Sequence, residues 1–228
     1  MVRILSIDSS SPSGGVALIE GRRIVAQTPL PKTPSYSNRL LSLVDKTLSN
    51  SCCALDDMDG FCLTTGPGSF TGLRVGVSLV KGFVLATHKP FFEVNALEAL
   101  AALAQSTSRQ ICPILDARKR EVYAAFFKCR GGQLRRESSD FVVSPQALAE
   151  RVTQPTVFIG PGLEIYGSYL SQTLGPLFIQ EARPKNDTAA AGAALIASVQ
   201  FEAHKSSDLN LLNIHYVRKS EAEINFAG

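Results

Sequence analysis

GFCLTTGPGSFTGLRVGVSLVKGFVLATHK, residues 60–89, sets a strand, a glycine turn and a long helix end to end with almost no slack. Phe61 to Thr65 reads as a short β-run, and Gly66-Pro67-Gly68 as a turn, because glycine tolerates unusual φ and proline fixes its own. Ser69 or Thr71 is placed to cap a helix that begins near Gly72. Phe70, Leu73, Val77, Val80 and Val84 recur at three- and four-residue spacing, which predicts one buried helical face. Gly72, Gly76 and Gly82 stand out, since each costs up to about 1 kcal/mol of helix propensity relative to Ala. Gly72 and Gly76, with Ser69 one turn earlier, make a small-residue face on which another backbone can come close. Three uses fit such a face: packing against the chain's own sheet, contact with another protein, or a phosphate held by the free amides of a helix start. It is not a Walker loop, because no Lys-Ser or Lys-Thr follows the glycines.

Working outward, Arg3 to Asp8 is a strand ending on an acid, and Ser9 to Gly14 is a hydroxyl-rich turn. Gly15 to Ile19 and Arg22 to Gln27 complete a three-strand meander. The Asp8 corner is either a phosphate or metal loop or a hydroxyl turn that merely closes the hairpin. Pro29 to Pro34 is a stiff linker, and Tyr36 to Leu48 reads as a helix with Leu40, Leu41, Val44 and Leu48 as its stripe. Pro90 to Val94 is a short strand, and Asn95 is placed to cap a helix over Ala96–Gln105.

Near Ser106 the pattern restarts. Ile111 to Leu115 is a strand ending on Asp116, Arg118-Lys119-Arg120 is a charged turn, and Glu121 to Lys128 is a strand. Gly131-Gly132 is a hairpin turn, and Gln133 to Val142 returns as a strand. A helix over 145–152, a strand over 156–159, a Gly160-Pro161-Gly162 turn and a helix over 163–174 follow. A short strand over 177–179 then precedes an Ala-rich helix that Asp187 or Thr188 caps. Asp8 matches Asp116, and Gly66-Pro67-Gly68 matches Gly160-Pro161-Gly162. This repeat predicts two similar α/β domains with mixed sheets. Residues 1–106 form the first, completed by about 205–228. Residues 107–204 form the second, its last helix bridging back to the first.

Composition narrows the function classes. Twenty-three Lys and Arg against 20 Asp and Glu give a charge of +3, too small to indicate nucleic-acid binding by itself. There is no Trp and there are five Tyr, so a base-stacking surface has little support. The five cysteines form no C-x-x-C pair, and the three histidines add no zinc pattern. The N-terminus runs straight into a strand without a signal-peptide pattern, and no apolar run of 18 residues occurs. A reducing cytoplasm is the expected compartment, with no membrane contact.

Several stretches are similar to the bacterial TsaB (YeaZ) family: Ile4 to Ser10, Gly66 to Gly76, Asp116 to Tyr123 and Tyr216-Val217-Arg218. Gly66 to Arg74 is the most specific of these. The resemblance implies the duplicated fold of actin, sugar kinases and Hsp70. It implies a non-catalytic subunit that TsaD requires to make N6-threonylcarbamoyladenosine at position 37 of tRNAs reading codons that start with A. TsaD would be its heterodimer partner, and the small ATPase TsaE would join them. tRNA would be met through the complex, and the isolated chain would be a homodimer. The partner surface is expected at Tyr36, Leu40, Ser69, Phe70, Gly72, Leu73, Arg74, Gly76, Val77 and Val80. A bulky residue at Gly76 is expected to weaken the heterodimer while the fold survives. Many relatives carry His where Tyr36 stands.

In the superfamily, two loops hold ATP phosphates and an acid positions the metal. Here Asp8, Ser9, Ser10, Asp116 and Arg118 occupy those loops, but the second lacks the glycines that wrap a phosphate. The resemblance therefore implies vestigial loops and no tightly bound cofactor, with ATP or ADP and Mg²⁺ entering only with the assembled complex. His88, His204 and His215 cannot reproduce TsaD's H-x-x-x-H metal pair, and no metal site is expected. Two enzymatic alternatives remain: an ATP-dependent phosphotransferase or ATPase using Asp8, and a peptidase, which lacks an evident base. Arg118, Lys119 and Arg120 with Arg135 and Arg136 would make a tRNA-binding patch if the hairpin brought them together; a solvated charged hairpin is the competing reading.

Overall fold

In the first half of the chain, β1 (Arg3–Asp8), β2 (Gly15–Glu20) and β3 (Arg23–Pro29) form the expected antiparallel meander. α1 (Leu40–Asn50) leads to β4 (Gly60–Thr64), α2 (Phe70–Thr87), β5 (Phe91–Val94) and α3 (Ala96–Ala102). The second half holds β6 (Gln110–Asp116), β7 (Val122–Ala124), β8 (Phe127–Arg130), β9 (Gln133–Arg136) and β10 (Phe141–Val143). It continues with α4 (Pro145–Arg151), β11 (Thr156–Ile159), α5 (Leu163–Leu174), β12 (Phe178–Gln180) and α6 (Ala189–Glu202). The structure is a computed structural model that describes residues 1–31, 40–104, 107–180 and 188–217. The Tyr36 end of the expected first helix, Asp187 and Arg218 lie outside these residues.

The first sheet has the order β3-β2-β1-β4-β5 and the main path of the second is β10-β7-β6-β11-β12. These are the same topology written twice: an antiparallel meander whose first strand pairs in parallel with the fourth, and the fourth with the fifth. The turns repeat as well, because Gly66 and Gly160 share a left-handed-side φ of 112° and 111°. A side chain at Gly66 would meet the His215 carbonyl oxygen at 2.7 Å, so small size and backbone freedom are both needed there.

Two expected strands are each broken in two. Residues 121–128 form β7 and β8, and residues 133–142 form β9 and β10. At the break, the Phe126 amide donates to Ser138 Oγ at 2.8 Å and its carbonyl accepts from the Glu137 amide at 2.8 Å. A side-chain hydroxyl thus replaces one ladder partner, which alternation alone does not reveal. Val122, Ala124 and Phe126 still share one core.

α1 and α2 cover one face of the first sheet, where Leu40, Leu43, Val44 and Leu48 meet Val80, Phe83, Phe61 and Leu63. α6 lies on the opposite face, against α3. That contact is tight: a Cβ at Gly192 would fall onto the Ala99 carbonyl. The core around these two helices draws Ile4, Cys62 and Phe92 from one half and Ile111, Leu115 and Val157 from the other. Burial there pushes the Cys62 thiol up to about 12, consistent with an inert packing role. α2 has 18 residues and a mean hydropathy of 1.3, long and apolar enough by those measures to cross a membrane. Val80 and Phe83 nevertheless anchor it in the first-half core, with 28% of its length buried.

Candidate functional site

Two surfaces arise from the repeated order of strand, turn and helix. One is a cleft between the halves, and the other is the outer side of α2. Both depend on how α2 is set down. Ser69 caps the helix by accepting from the Gly72 amide at 3.2 Å, as the sequence predicts. The Ser69 amide donates to the Ser10 carbonyl at 2.6 Å, which ties the helix start to the loop after β1.

Gly72 and Gly76 of α2 face inward. A Cβ at Gly72 would coincide with the Ser9 carbonyl. One at Gly76 would overlap Ser9 Oγ and stand 2.9 Å from Leu63 Cδ1. The small-residue face is therefore consumed by the chain's own β1 loop. The buried stripe is Gly72, Leu73, Gly76, Val80 and Phe83. Phe70, Val77 and Val84 are only half-buried, so the stripe is rotated from the one that apolar spacing suggests. This corrects the expected partner surface: Leu40, Gly72, Leu73, Gly76 and Val80 lie in the interior, while Ser69 and Arg74 are exposed. Tyr36 lies outside the described residues. It also corrects the expected consequence of a bulky Gly76, which would strike Ser9 before it reached a partner.

The outer side of α2 presents Thr71, Arg74, Ser78, Gly82 and Leu85. A Cβ at Gly82 would meet nothing within 4 Å among the described residues, and Leu85 is 67% exposed. α1 on the same sheet face adds Leu41, itself half-exposed. α2 carries only two charges, Arg74 and Lys81. At its start, Arg74 lies 3.9 Å over the Phe70 ring, whose centroid is 5.0 Å from that of Tyr216.

The cleft has a volume of about 520 Å³ and is walled by Ser10 to Ser13, Gly68 to Phe70, Leu115 to Lys119 and Pro161 on facing sides. That is within the ordinary range of small-molecule pockets. It places the helix start beside the two loops that follow β1 and β6. Asp8, however, does not open into it. The residue is fully buried; its Oδ1 accepts from the Ser10 amide at 2.9 Å and from Thr64 Oγ1 at 2.5 Å. Its Oδ2 is buried without a hydrogen-bond partner among the described residues. Burial, the largest influence, pushes this carboxyl above the usual aspartate range, against the hydrogen bonds from Ser10 and Thr64.

Asp116 is open by comparison but engaged. Its Oδ1 accepts from the Arg118 amide at 2.9 Å and the Tyr166 hydroxyl at 3.3 Å, and Arg118 Nε is 4.0 Å from Oδ2. Arg118, Lys119 and Arg120 have φ of 62°, 52° and 60°. Three successive non-glycine residues in the left-handed region cost on the order of 1–2 kcal/mol each. Nothing in a run of basic residues announces such a turn. The fold class implies a metal-bound nucleotide here, and these residues do not fit one in that manner: the first acid is sealed behind Ser9 and Ser10, and the second loop is a strained basic turn.

The basic residues do not assemble either. Asp116 pairs with Val122 at one end of β6, whereas Gln110 pairs with Lys128 at the other, next to Arg135. Seven strand residues, about 20 Å, thus separate the 118–120 turn from the Arg135 hairpin. Arg136 is occupied by Asp140 and Glu98 and lies over Phe127. Among the described residues, no group of three His, Cys, Asp or Glu is placed to hold a metal.

A duplicated five-strand order, with a cleft between the two loops that follow the first strands, defines the actin-like class of α/β proteins that includes the sugar kinases. The family model described as TsaD, tRNA N6-adenosine threonylcarbamoyltransferase, matches residues 28–226. The chain is 29% identical over 224 residues to the tRNA threonylcarbamoyladenosine biosynthesis protein TsaB of Bacillus subtilis, covering 96% of each. It is 30% identical to TsaB of Escherichia coli over 172 residues, 72% of this chain and 74% of that one. The solved structure of YeaZ from Pseudomonas aeruginosa superposes with a TM-score of 0.75 at 25% identity, over 95% of this chain and 100% of that one. The chain belongs to this TsaD-type family and, within it, to the TsaB (YeaZ) branch.

Proposed function

We propose that this chain serves the biosynthesis of N6-threonylcarbamoyladenosine in tRNA as a non-catalytic subunit, docking TsaD with the outer side of α2 and the neighbouring surface of α1. The observation that carries the reading is the division of α2. Gly72 and Gly76 are spent on the β1 loop, while Thr71, Ser78, Gly82 and Leu85 form a low, weakly charged outer surface. Small residues let a partner backbone approach, and Leu41 and Leu85 supply apolar area at the rim. A specific interface buries roughly 1,200–2,000 Å² in total, which two neighbouring helices can largely supply. In the absence of TsaD, a homodimer would pair this same surface on both copies about a two-fold axis.

The sealed Asp8 and the glycine-free turn after Asp116 support a supporting rather than a chemical role. In this reading ATP or ADP with Mg²⁺ enters with the complex, TsaE joins as a further subunit, and tRNA is met through the assembly in the cytoplasm. Size exclusion with light scattering tests the proposal, using the chain alone and with TsaD, each with and without ATP. The expected result is a homodimer that gives way to a 1:1 unit with TsaD. Separate elution at micromolar concentrations, with or without nucleotide, would overturn it.

A further inference from the structure

The second sheet carries a two-stranded ribbon that belongs to neither of the surfaces described above. In β8 and β9, Phe127 pairs with Arg136, Lys128 with Arg135, Cys129 with Leu134 and Arg130 with Gln133. β8 joins β6 at Gln110 and Ile111, near the start of that strand, and β9 pairs with β8 alone. The ribbon therefore projects past β6, and residues 130–133 are all exposed. Gly131 and Gly132 turn it with φ of 58° and 73°, the tight hairpin geometry that glycine suits. A Cβ at either would meet nothing within 4 Å among the described residues.

Residues paired across a ladder share a face, and faces alternate along each strand. Phe127, Cys129, Leu134 and Arg136 form the inward face, where Phe127 and Leu134 join the core between the halves. The cation on this side is provided for. Arg136 pairs with Glu98 and with Asp140, which also accepts from Asn95 Nδ2 at 2.6 Å and lies 3.2 Å from His215 Nε2. The outward face carries Lys128, Arg130, Gln133 and Arg135: three cations, one amide and no apolar side chain. Lys128 stands directly opposite Arg135, where like charges repel. Arg130 follows Lys128 on the same face, about 7 Å along the strand. Among the described residues, the one carboxylate within ion-pair range of these three is Glu137, 3.7 Å from Arg130 Nη2 and already accepting from Gln110 Nε2 at 3.2 Å. Lys128 and Arg135 have no ion pair among the described residues.

We propose that the outward face of the β8–β9 hairpin holds the phosphate backbone of RNA, so that this chain adds a contact of its own to the tRNA that the assembly meets. The inference rests on the proposed role in tRNA modification. A run of phosphates supplies the anions that Lys128, Arg130 and Arg135 lack, and each such contact releases counterions. Contacts of this kind hold the nucleic acid in place without reading its sequence. The bare glycine tip lets a backbone come close to Arg130. A lipid surface would call for apolar side chains beside the cations, and the outward face has none. The turn at Arg118 to Arg120 takes no part, since it lies at the other end of β6.

Fluorescence anisotropy with an unmodified tRNA transcript tests it, titrated with the chain alone and with the chain bound to TsaD, between about 50 and 250 mM salt. The variant is the triple Lys128→Gln, Arg130→Gln, Arg135→Gln; Arg23→Gln, an exposed cation in the first half, controls for lost charge. The triple variant is expected to flatten the slope of log K against log salt by about two to three, at roughly 0.7–0.9 for each phosphate contact. Its affinity at about 100 mM salt should fall at least about tenfold. Arg135→Gln alone should give about a third of the change in slope, which keeps the test open if the triple variant misfolds. Arg23→Gln should keep the parent's slope. Co-elution with TsaD should survive in the triple variant; its failure in the parent would count against the partnership and leave the titration of the chain alone to judge the hairpin. A parent without salt-dependent tRNA binding, or a slope that the folded variants leave unchanged, would overturn the proposal. So would hairpin-dependent binding to phosphatidylserine vesicles as tight as to tRNA.

Discussion

The two sides of α2 use the same residue type for opposite purposes. Gly72 and Gly76 are small because Ser9 lies where their side chains would be, whereas Gly82, two turns on, faces open space. The inner glycines close the loop after β1 over Asp8. The outer one costs helix propensity, and a side chain there would meet no atom of the described residues within 4 Å. A glycine inside a helix is thus explained by its neighbours, not by its spacing, and the one with no neighbour among the described residues is the better marker of a partner surface.

That contrast can be broken from either side. The largest effect is expected from Gly76→Leu, which forces a branched side chain against Ser9 and Leu63. Loss of about 3 kcal/mol or more, or failure to fold, should appear as a large drop in the denaturant midpoint. Retention of the parent's stability would mean that the inner side is not close-packed. A smaller but more specific effect is expected from Ser78→Arg on the outer side. The melting temperature should stay with the parent's, while co-elution with TsaD falls at least about tenfold in apparent affinity.

The acid beneath the inner side gives a pH signature. The carboxyl of Asp8 is raised in the folded chain by burial. The folded state therefore holds this proton more tightly than the unfolded one. Its contribution to stability is complete below about pH 4, the ordinary aspartate value, and is lost as pH rises through the raised value. Asp8→Asn cannot ionise. Thermal melts across this range should show the variant gaining on the parent as pH rises and no such trend at low pH. A gap independent of pH would place Asp8 in contact with solvent. The smallest effect belongs to Gly82→Ala, where restored helix propensity should stabilise the isolated chain by up to about 1 kcal/mol.

Much of the fold was legible in the sequence because it is written twice. Asp8 with Asp116, and Gly66 with Gly160, mark corresponding corners of two sheets that share one strand order. Caps at Ser69 and Asn95 were legible for the same local reason: a short polar side chain ahead of an apolar period. What escaped depends on partners distant in sequence. Apolar spacing locates a helical face but not what lies against it, so the buried stripe of α2 came out rotated toward its glycines. The left-handed turn at Arg118 to Arg120 is held by Asp116 and Glu121 rather than by residues that favour it. The separation of the two basic groups followed from strand register. The junction at Asp140 joins Asn95, Arg136 and His215 from three separate segments, and no motif spans them.

Titration calorimetry of TsaD with Gly82→Arg, run beside the parent chain, tests the central claim most directly. A large cation placed where the outer side is open should leave the variant folded and weaken binding at least about tenfold. A folded variant that binds TsaD as tightly as the parent would contradict the assignment of this surface.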